Sequence, residues 1–496
     1  MTTFFDPAKA DQRNARREML KPWVDEARAL LRLAAPLIAM QLAFIGTLTA
    51  DIIMVGQLGK DALAATGIGA VMFYLTWLIG YGPVMAVSPV VAHILGAHPN
   101  DRARTRAAIR MGLWAVAFMS PPLMVMLIWA KPILLFLGQE PKIAAMAEPW
   151  IHAIAFGLPF ALGFGVLRAL ATAIDRQREI LVISIAQVGV VIVANYMLIF
   201  GNWGAPALGL LGSGIASALG YAFAFFAMLG VVTLAPAFRK YHVLHRFFRP
   251  AWDRFREIFW LGAPMGMSII FEAMLFNAAT LIMGTFGAAS VAAHQIAMNV
   301  GSITFMVPMG IGLAATVRVG LAAGAKNADG VRRAGWTAIV FGAGFMLLCG
   351  VVIAAMPHTI VGLYINAGDP TNAEVVQLAV VFLYVAAMFQ LFDALQVTGQ
   401  MSLRGLKDAT APMWIAGLSY WLVGFTLAWG LGKWAGLQGF GVWLGLLAGL
   451  VVAAAGMTIR WAILSRREQD QGPVGLWKGP LAKESTDHDS IYDERP

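Results

Sequence analysis

Charged residues are scarce in this 496-residue chain: Asp, Glu, Lys and Arg make up 13% of it, whereas hydrophobic residues make up 59%. Soluble globular proteins carry about 25% charged residues, so this composition argues against a set of water-soluble domains. The solvent for most of the molecular surface is therefore expected to be lipid. The single cysteine, Cys349, excludes an intrachain disulfide and a thiolate metal cluster.

Several functional motifs are also missing. Residues 1–23 have no apolar core followed by a small-residue cleavage site, so they do not read as a signal peptide. No glycine-rich phosphate loop is present, which argues against nucleotide binding and ATP coupling. No serine or cysteine has an evident base nearby, and no cluster has metal-ligand spacing. We therefore expect neither an enzyme nor a resident cofactor.

Long apolar runs are what the chain does contain. Twelve runs of roughly 20–35 residues, the length scale of a bilayer crossing, alternate with short charged clusters. They lie approximately at 30–57, 62–96, 107–130, 143–171, 179–200, 207–234, 256–285, 290–324, 334–356, 374–405, 411–431 and 437–465. Pro83, Pro89, Pro159 and Pro308 fall inside them, which predicts kinked or extended helices. The pattern predicts an all-α integral membrane protein with twelve transmembrane helices.

The distribution of Lys and Arg predicts the orientation. If the first helix starts in the cytoplasm, 32 of the 36 Lys and Arg residues lie on the cytoplasmic side, as positive charges normally do. Lys60, Lys131, Lys142 and Lys433 are then outside. Both termini are expected in the cytoplasm, with the protein in a bacterial inner (plasma) membrane. Topology and anionic lipid explain the net charge of +9 better than nucleic-acid binding does, because no continuous basic element exists.

An internal repeat divides the chain into two halves. A shift of 228 positions aligns Pro36 with Pro264 without a gap across two helices. Later in the chain, "LRALATA" aligns with "LRGLKDA", so Arg168 and Arg404 are equivalent positions of the repeat. This predicts two six-helix lobes of equal orientation, with the substrate path at their interface. The predicted divisions are a cytoplasmic N-terminal segment (1–29), an N-lobe (30–234), a basic cytoplasmic linker (235–255), a C-lobe (256–465) and a disordered tail (466–496).

Three acidic residues lie within the apolar runs. Glu272 in the seventh run and Asp393 in the tenth lie at similar depths near the middle of the membrane, and Asp51 lies near the outer end of the first. An ionised carboxylate at the bilayer centre costs on the order of 3 kcal/mol, so such groups normally face water or a partner. No basic residue is expected at the depth of Glu272 or Asp393. Because the repeat does not share these acids, we predict an ion-handling role, with a structural hydrogen-bonded acid as the alternative.

Other polar residues accompany these acids. Four side chains at three- and four-residue spacing form one polar stripe on the tenth helix, which suits the wall of a wet cavity. They are Gln390, Asp393, Gln396 and Gln400. Asn277 is a further candidate for the cavity. For His294 in the eighth helix, a role as proton relay or cavity hydrogen-bond partner and a role in packing are equally open.

Two coupling ions suit the acid pair. Burial and mutual repulsion favour protonation of Glu272 and Asp393 if the two share a cavity. A hard cation such as Na⁺, which takes oxygen ligands, could occupy the same pair instead. An organic cation would compete for this negative charge, and such competition is enough to couple two fluxes in opposite directions.

Four segments resemble a known family. "EAMLFNAATLIMG", "AAHQIAMN", "GLAATVRVG" and "DALQVTGQMSLRGLKDATAP" are similar to segments of the multidrug and toxic compound extrusion family, in its NorM-type branch. The similarity covers about residues 28–465. It implies twelve helices around a V-shaped cavity and export of cationic or amphipathic compounds in exchange for Na⁺ or H⁺. By this resemblance, Glu272 and Asp393 match the acidic cation-site residues of the C-lobe, and Asp51 matches the acid of helix 1.

The resemblance also implies roles for two more residues. Asn195 matches an asparagine associated with a cation site in the N-lobe, although Val191 stands where related proteins often have a second polar residue. Pro36 matches a proline in relatives whose helix 1 is proposed to bend on protonation. The alternative for Pro36 is a proline at the start of a helix.

Two other functions stay open on the sequence alone. One is a membrane-embedded enzyme. The other is a flippase for lipid-linked precursors from the same superfamily, for which positively charged cavity residues are expected. The acidic residues favour organic cations and drugs as cargo, and we expect a monomer whose other partner is the lipid bilayer.

Overall fold

The computed structural model describes residues 7–366 and 368–471, with side chains for residue 18 and for 20–366 and 368–466. The described chain is almost entirely helical and has no strand. The helices are α1 (Pro7–Gly56), α2 (Lys60–Ala97), α3 (Arg102–Ile128), α4 (Ala130–Phe136), α5 (Pro141–Ala155), α6 (Leu158–Ala173), α7 (Gln177–Phe200), α8 (Leu210–Leu234), α9 (Pro236–Arg239), α10 (Trp252–Gly284), α11 (Ala288–Gly324), α12 (Ala328–Ala355), α13 (Pro357–Gly362), α14 (Ala373–Gly405), α15 (Thr410–Trp434) and α16 (Gln438–Gln471). Most of the tail predicted to be disordered, residues 472–496, lies outside the described residues.

The helix count agrees with the twelve predicted spans. In the described chain, eleven helices are long and apolar enough to cross a membrane, and the pair α5 and α6, bent by 40°, gives a twelfth span when the two are counted as one. The bend falls where α5 ends at Ala155 and α6 begins at Leu158, with Pro159 in the first turn of α6. Proline suits that first turn because the N–H it lacks has no partner there. The other prolines named above lie inside α2 and α11, which continue through them.

The first helix is longer than the sequence indicated. It runs without interruption from Pro7 to Gly56 and therefore crosses the predicted boundary at residue 30. Pro36 lies in the interior of this helix. The alternative in which Pro36 begins a helix is therefore wrong, and its role as a hinge stays a prediction.

Two hydrophobic cores show how the lobes are joined. One core draws only on residues between Leu275 and Leu464. The other extends from Leu30 to Val243 and enters the second half of the chain mainly through residues 258–265 of α10 and 311–317 of α11. Those segments lie near the start of α10 and the end of α11. We call this end of the bundle, where the Arg-rich connections lie, the basic end. The two six-helix lobes thus merge in the half nearest the basic end.

Glycines allow the lobes to meet closely at the basic end. A Cβ atom on Gly96 of α2 would lie 2.2 Å from the carbonyl oxygen of Leu321 in α11. A Cβ atom on Gly324 of α11 would lie 2.2 Å from the carbonyl oxygen of His93 in α2. Gly96 and Gly324 are equivalent in the repeat, so one contact is made twice around the axis that relates the lobes. Any side chain at these positions would push the two helices apart.

Polar contacts between the lobes lie in the same half. Arg318 of α11 forms an ion pair with Glu26 of α1 at 2.6 Å, and His93 Nε2 lies 2.7 Å from the carbonyl oxygen of Gly405. Among the described side chains, every hydrogen bond or ion pair between the lobes lies in this half. In the opposite half, Tyr74 of α2 is within electrostatic range of Glu272 on α10, yet it stays 46% exposed. We call the opening between α2 and α10 in this half the cleft.

Candidate functional site

The acid of α1 is held by two other helices of the N-lobe. Asn195 of α7 donates a hydrogen bond from Nδ2 to Asp51 Oδ1, and Ser217 of α8 donates from Oγ to Asp51 Oδ2 at 3.1 Å. Asp51 is partly buried and Asn195 is fully buried. Hydrogen bonds to an ionised carboxylate offset part of the cost of its burial. The Oδ1 atom of Asn195 has no partner in the described chain, so it is an acceptor that a cation could use.

Sequence analysis predicted only part of this site. Asp51 was identified as an acid within an apolar run and Asn195 by resemblance, and the structure brings them into direct contact. Val191 instead packs on α8, where a Cβ atom on Gly220 would lie 2.3 Å from its Cγ2 atom. The second polar partner of Asp51 is Ser217, which sequence reasoning missed. Its only signal was a hydroxyl in a mainly apolar helix that carries several others, and small hydroxyl residues commonly serve helix packing.

We expect Asn195→Ala to destabilise the protein by about 1–3 kcal/mol, because Asp51 would keep its charge and lose a donor. The melting temperature of the purified protein measures this effect. Asn202→Ala is the matched control, because the Asn202 amide only donates to the carbonyl oxygen of Tyr196 at an exposed site. Equal melting temperatures for Asn195→Ala and Asn202→Ala would show that the Asp51 contact does not support the fold.

The two acids of the C-lobe lie near each other and lack direct partners. Glu272 of α10 and Asp393 of α14 are within electrostatic range of one another. Asp393 is 6% exposed and Glu272 is partly buried. Within the described side chains, neither carboxylate accepts a hydrogen bond or forms an ion pair. This differs from Asp51, whose two oxygens both have donors.

Tyr420 is a residue of this site that the sequence analysis missed. It lies in a π-helical segment of α15, residues 418–425, and is within electrostatic range of both Glu272 and Asp393. Its side chain is 2% exposed, and its hydroxyl has no hydrogen-bond partner in the described chain. π-Helical segments occur often at functional sites, but the sequence of α15 gives no sign of one.

One basic residue acts on these acids from a distance. Arg404, in the last turn of α14 at the basic end, is buried between the lobes and is within electrostatic range of Glu272. Met85 of α2 covers it from the other lobe. Arg404 and Glu272 form no direct ion pair, so the carboxylate is not locked to this cation.

The polar stripe of α14 lies inside the C-lobe. Gln390, Gln396 and Gln400 are 1–3% exposed, on the same face as Asp393. Gln390 Oε1 accepts a hydrogen bond from Thr304 of α11 at 3.0 Å. Gln390 Nε2 and both amide atoms of Gln396 have no partner in the described chain. Buried polar groups are normally satisfied, so these atoms mark positions suited to water or a bound ion.

Two other predicted site residues, His294 and Asn277, make no contact with the acids in the structure. His294 is fully buried, with Nε2 3.2 Å from Thr280 Oγ1 and its ring against Trp443 at 5.6 Å. Thr280 follows Glu272 by eight residues, about 12 Å along α10. Asn277 is exposed and donates to a carbonyl oxygen of its own helix at 2.7 Å. The ring of His294 packs against Trp443, but its Nδ1 atom has no partner in the described chain, so it is not a fully satisfied packing histidine.

An aromatic ladder on α2 has one end beside Glu272. The rings of Tyr74 and Trp77 stack at 6.0 Å, and those of Trp77 and Tyr81 at 4.2 Å. Tyr74 is the member nearest to Glu272 by its electrostatic interaction. The spacing of three and four residues places the rings on one helix face, a signal that the sequence analysis did not use. Aromatic faces attract organic cations, so the ladder gives the N-lobe side of the cleft a suitable surface.

A sodium ion at this site would be held by two carboxylates together with oxygen atoms from neutral groups. The described residues contain no group of three or more His, Cys, Asp or Glu that could hold a metal ion. Two carboxylates, from Glu272 and Asp393, and the free hydroxyl of Tyr420 are oxygen ligands of the type that hard cations prefer. The same groups can exchange a proton, so the donor set fits either ion.

Comparison with known proteins gives the following similarities. Residues 36–197 and 264–429 each match the MatE family model, and the two matches start 228 positions apart, which is the offset of the internal repeat. The chain is 41% identical over 455 residues to a probable multidrug resistance protein NorM of Mesorhizobium japonicum, covering 92% of this chain and 97% of that protein. A probable NorM of Pseudomonas aeruginosa is 40% identical over 441 residues, covering 89% and 90%.

A solved structure shares the fold. The crystal structure of the eukaryotic MATE transporter AtDTX14 matches with a TM-score of 0.80, over 90% of this chain and 99% of that one, at 20% sequence identity. At this sequence identity, the likeness shows a shared fold.

Proposed function

Because the chain belongs to the MatE family, we propose that it is a multidrug efflux transporter of a bacterial inner membrane, which exchanges cationic or amphipathic organic compounds for Na⁺ or H⁺. The observation that carries the proposal is the pair Glu272 and Asp393, which lie within electrostatic range of each other without direct partners, with Glu272 beside the cleft. Carboxylates of this kind are costly in a membrane unless they bind something. A structural acid would instead have fixed donors, as Asp51 does.

The orientation of the cleft supports export. The positive-inside rule places the basic end in the cytoplasm, so the cleft opens to the outside. Two of the four lysines predicted outside are paired with acids there, Lys142 with Asp61 at 2.5 Å and Lys131 with Glu148 at 2.9 Å. The described conformation is then outward-open, closed at the cytoplasmic half by the glycine contacts of α2 and α11.

The exchange follows from competition for one negative site. In the outward-open state, Na⁺ or H⁺ neutralises Glu272 and Asp393, so a bound organic cation loses its attraction and leaves through the cleft. The neutralised site then costs less to enclose as the lobes rock to the inward-open state. Inside, the ion leaves and cargo binds. A one-for-one exchange of monovalent cations moves no net charge, so the concentration gradient of the ion drives it. Each additional positive charge that enters per cycle would release about 2.3 kcal/mol per 100 mV of membrane potential.

The distribution of charges argues against the flippase alternative. A flippase for lipid-linked anionic precursors needs cationic side chains in its open cavity. In this chain Glu272 and Tyr74 lie beside the cleft, whereas Arg168 and Arg404 line a small cavity nearer the basic end. Organic cations therefore fit the cleft better.

Vesicles that contain the purified protein test this proposal. Vesicles loaded with ethidium are given either a Na⁺ gradient at equal pH or a pH gradient without Na⁺, and release of the dye is followed. We expect release to be driven by at least one gradient and to stop when that gradient is collapsed. If neither gradient moves the dye or other organic cations, the exchange mechanism is wrong. If a compound is consumed without crossing the membrane, the enzyme alternative is favoured.

A further inference from the structure

A small cavity lies between the lobes near the basic end. Its wall includes Arg168 of α6 and Arg404 of α14, together with Tyr81 and Ser88 of α2. Its residues come from both lobes, and no Asp or Glu is among them. Arg168 and Arg404 are equivalent positions of the internal repeat, so the cavity lies where the two halves of the chain meet. Sites on such an axis are typical of transporters built from repeats.

Arg404 is poorly satisfied in this cavity. It is 2% exposed, and its Nη2 atom has no hydrogen-bond partner in the described chain. Its Nη1 atom approaches only the sulfur atoms of Met401 at 3.5 Å and Met85 at 3.9 Å, which are weak acceptors. A buried charge is costly unless it is paired and hydrogen-bonded. Glu272 is within electrostatic range of Arg404, but the two side chains form no direct ion pair.

The other groups of the cavity add donors. Arg168 donates from Nη2 to the hydroxyl oxygen of Tyr81 at 2.8 Å, so the hydroxyl hydrogen of Tyr81 is free to donate elsewhere. Arg168 Nη1 reaches only the sulfur atom of Met40, at 3.5 Å. Two guanidinium groups and a free hydroxyl hydrogen, with no carboxylate in the wall, form a donor-rich and positively charged site.

The size of the cavity limits its ligand. Its volume is about 40 Å³, roughly the space of three water molecules. Drug-sized ligands need about 300–1,000 Å³. From the charge, the donors and the volume, we propose that this cavity binds one small inorganic anion such as chloride between Arg168 and Arg404.

The anion site depends on the conformation. Because Arg168 belongs to the N-lobe and Arg404 to the C-lobe, separation of the lobes at the basic end removes one side of the site. An anion that binds only while the lobes are closed at the basic end increases the population of that conformation. Neutralisation of Glu272 by the coupling ion would also remove the nearest negative charge from Arg404, so anion and coupling ion favour each other's binding.

Thermal unfolding of the full-length protein in detergent tests anion binding without transport. Sodium chloride is compared with sodium gluconate at equal Na⁺ and ionic strength, because gluconate is too large for the cavity. We expect a melting temperature about 2 °C or more higher in chloride. The chloride effect should vanish in Arg404→Gln and in Arg168→Gln, and persist in the control Arg178→Gln, which removes an exposed arginine. Since each variant is compared with itself in two salts, its own stability does not affect the result.

Two results would overturn the site. One is a chloride effect in Arg404→Gln and Arg168→Gln equal to that of the unaltered chain, and the other is no chloride effect in any protein. If Arg404→Gln does not fold, Arg168→Gln decides, because Arg168 is only partly buried. None of these outcomes depends on efflux, so failure of the anion site and failure of the proposed function are distinguishable.

Spin labels measure the conformational effect. In a Cys349→Ala background, labels at Lys60→Cys and Ala288→Cys mark repeat-equivalent, exposed positions where α2 and α11 begin. We expect chloride to increase the fraction of long distances between them, which reports the open cleft, and Arg404→Gln to remove this increase. Identical distance distributions in chloride and gluconate would contradict the link to conformation.

Discussion

Glu272→Gln and Asp393→Asn should each lower cation-driven ethidium efflux by more than about a hundredfold, equivalent to about 2.7 kcal/mol. Each amide has nearly the shape of the acid but cannot be ionised, so the variant resembles a site that is permanently neutralised. An ion gradient then has no charge to neutralise, and an organic cation has no charge to displace. The initial rate of dye release from vesicles under the effective gradient measures the loss.

The fold should survive both substitutions. Neither carboxylate has a hydrogen-bond donor to lose, and removal of a buried charge tends to leave stability unchanged or raise it, so the melting temperature should not fall. Glu140→Gln is the matched control, because Glu140 is exposed and lies just before α5, away from both acids. Full efflux in both Glu272→Gln and Asp393→Asn would remove these residues from the mechanism.

Gly96→Ala should reduce efflux by more than about tenfold, because it prevents closure of the lobes at the basic end. The added Cβ atom would lie 2.2 Å from the backbone oxygen of Leu321, which cannot rotate away as a side chain can. This steric clash is relieved only if α2 and α11 separate, and packed helices lose contact energy when they separate. Gly324→Ala should act in the same way, since its Cβ atom would meet the backbone of His93. Labels at Lys60→Cys and Ala288→Cys should show fewer long distances.

Gly67→Ala is the matched control, because it makes the same glycine-to-alanine change elsewhere in α2. A Cβ atom on Gly67 meets no atom within 4 Å, so this variant should retain efflux and the distance distribution of the unaltered chain. The prediction fails if Gly96→Ala transports and opens as Gly67→Ala does. A loss of expression in Gly96→Ala alone would leave Gly324→Ala to decide, because the two glycines make the same contact from opposite lobes.

Much of the candidate site was visible in the sequence because ionisable residues are rare in membrane spans. Glu272, Asp393 and the glutamine stripe stood out against apolar runs, and helical spacing placed the stripe on one face. Tyr420, Ser217 and the aromatic ladder did not stand out, because tyrosine and serine are common within membrane helices. Their role depends on which residues of the neighbouring helices they face. Asn195 was found only through resemblance.

The twelve spans, the two lobes and the presence of acids at mid-membrane were determined by the sequence itself, since hydrophobicity, the repeat and the rarity of charge are properties of the chain read in order. The partners of each acid were decided by tertiary structure. Asp51 is bound by Asn195 and Ser217, whereas Glu272 and Asp393 lack direct partners and Arg404 is buried between the lobes. The physical reason is that hydrogen bonding and electrostatic range depend on distances of a few ångströms between helices far apart in sequence, and linear order does not specify those distances.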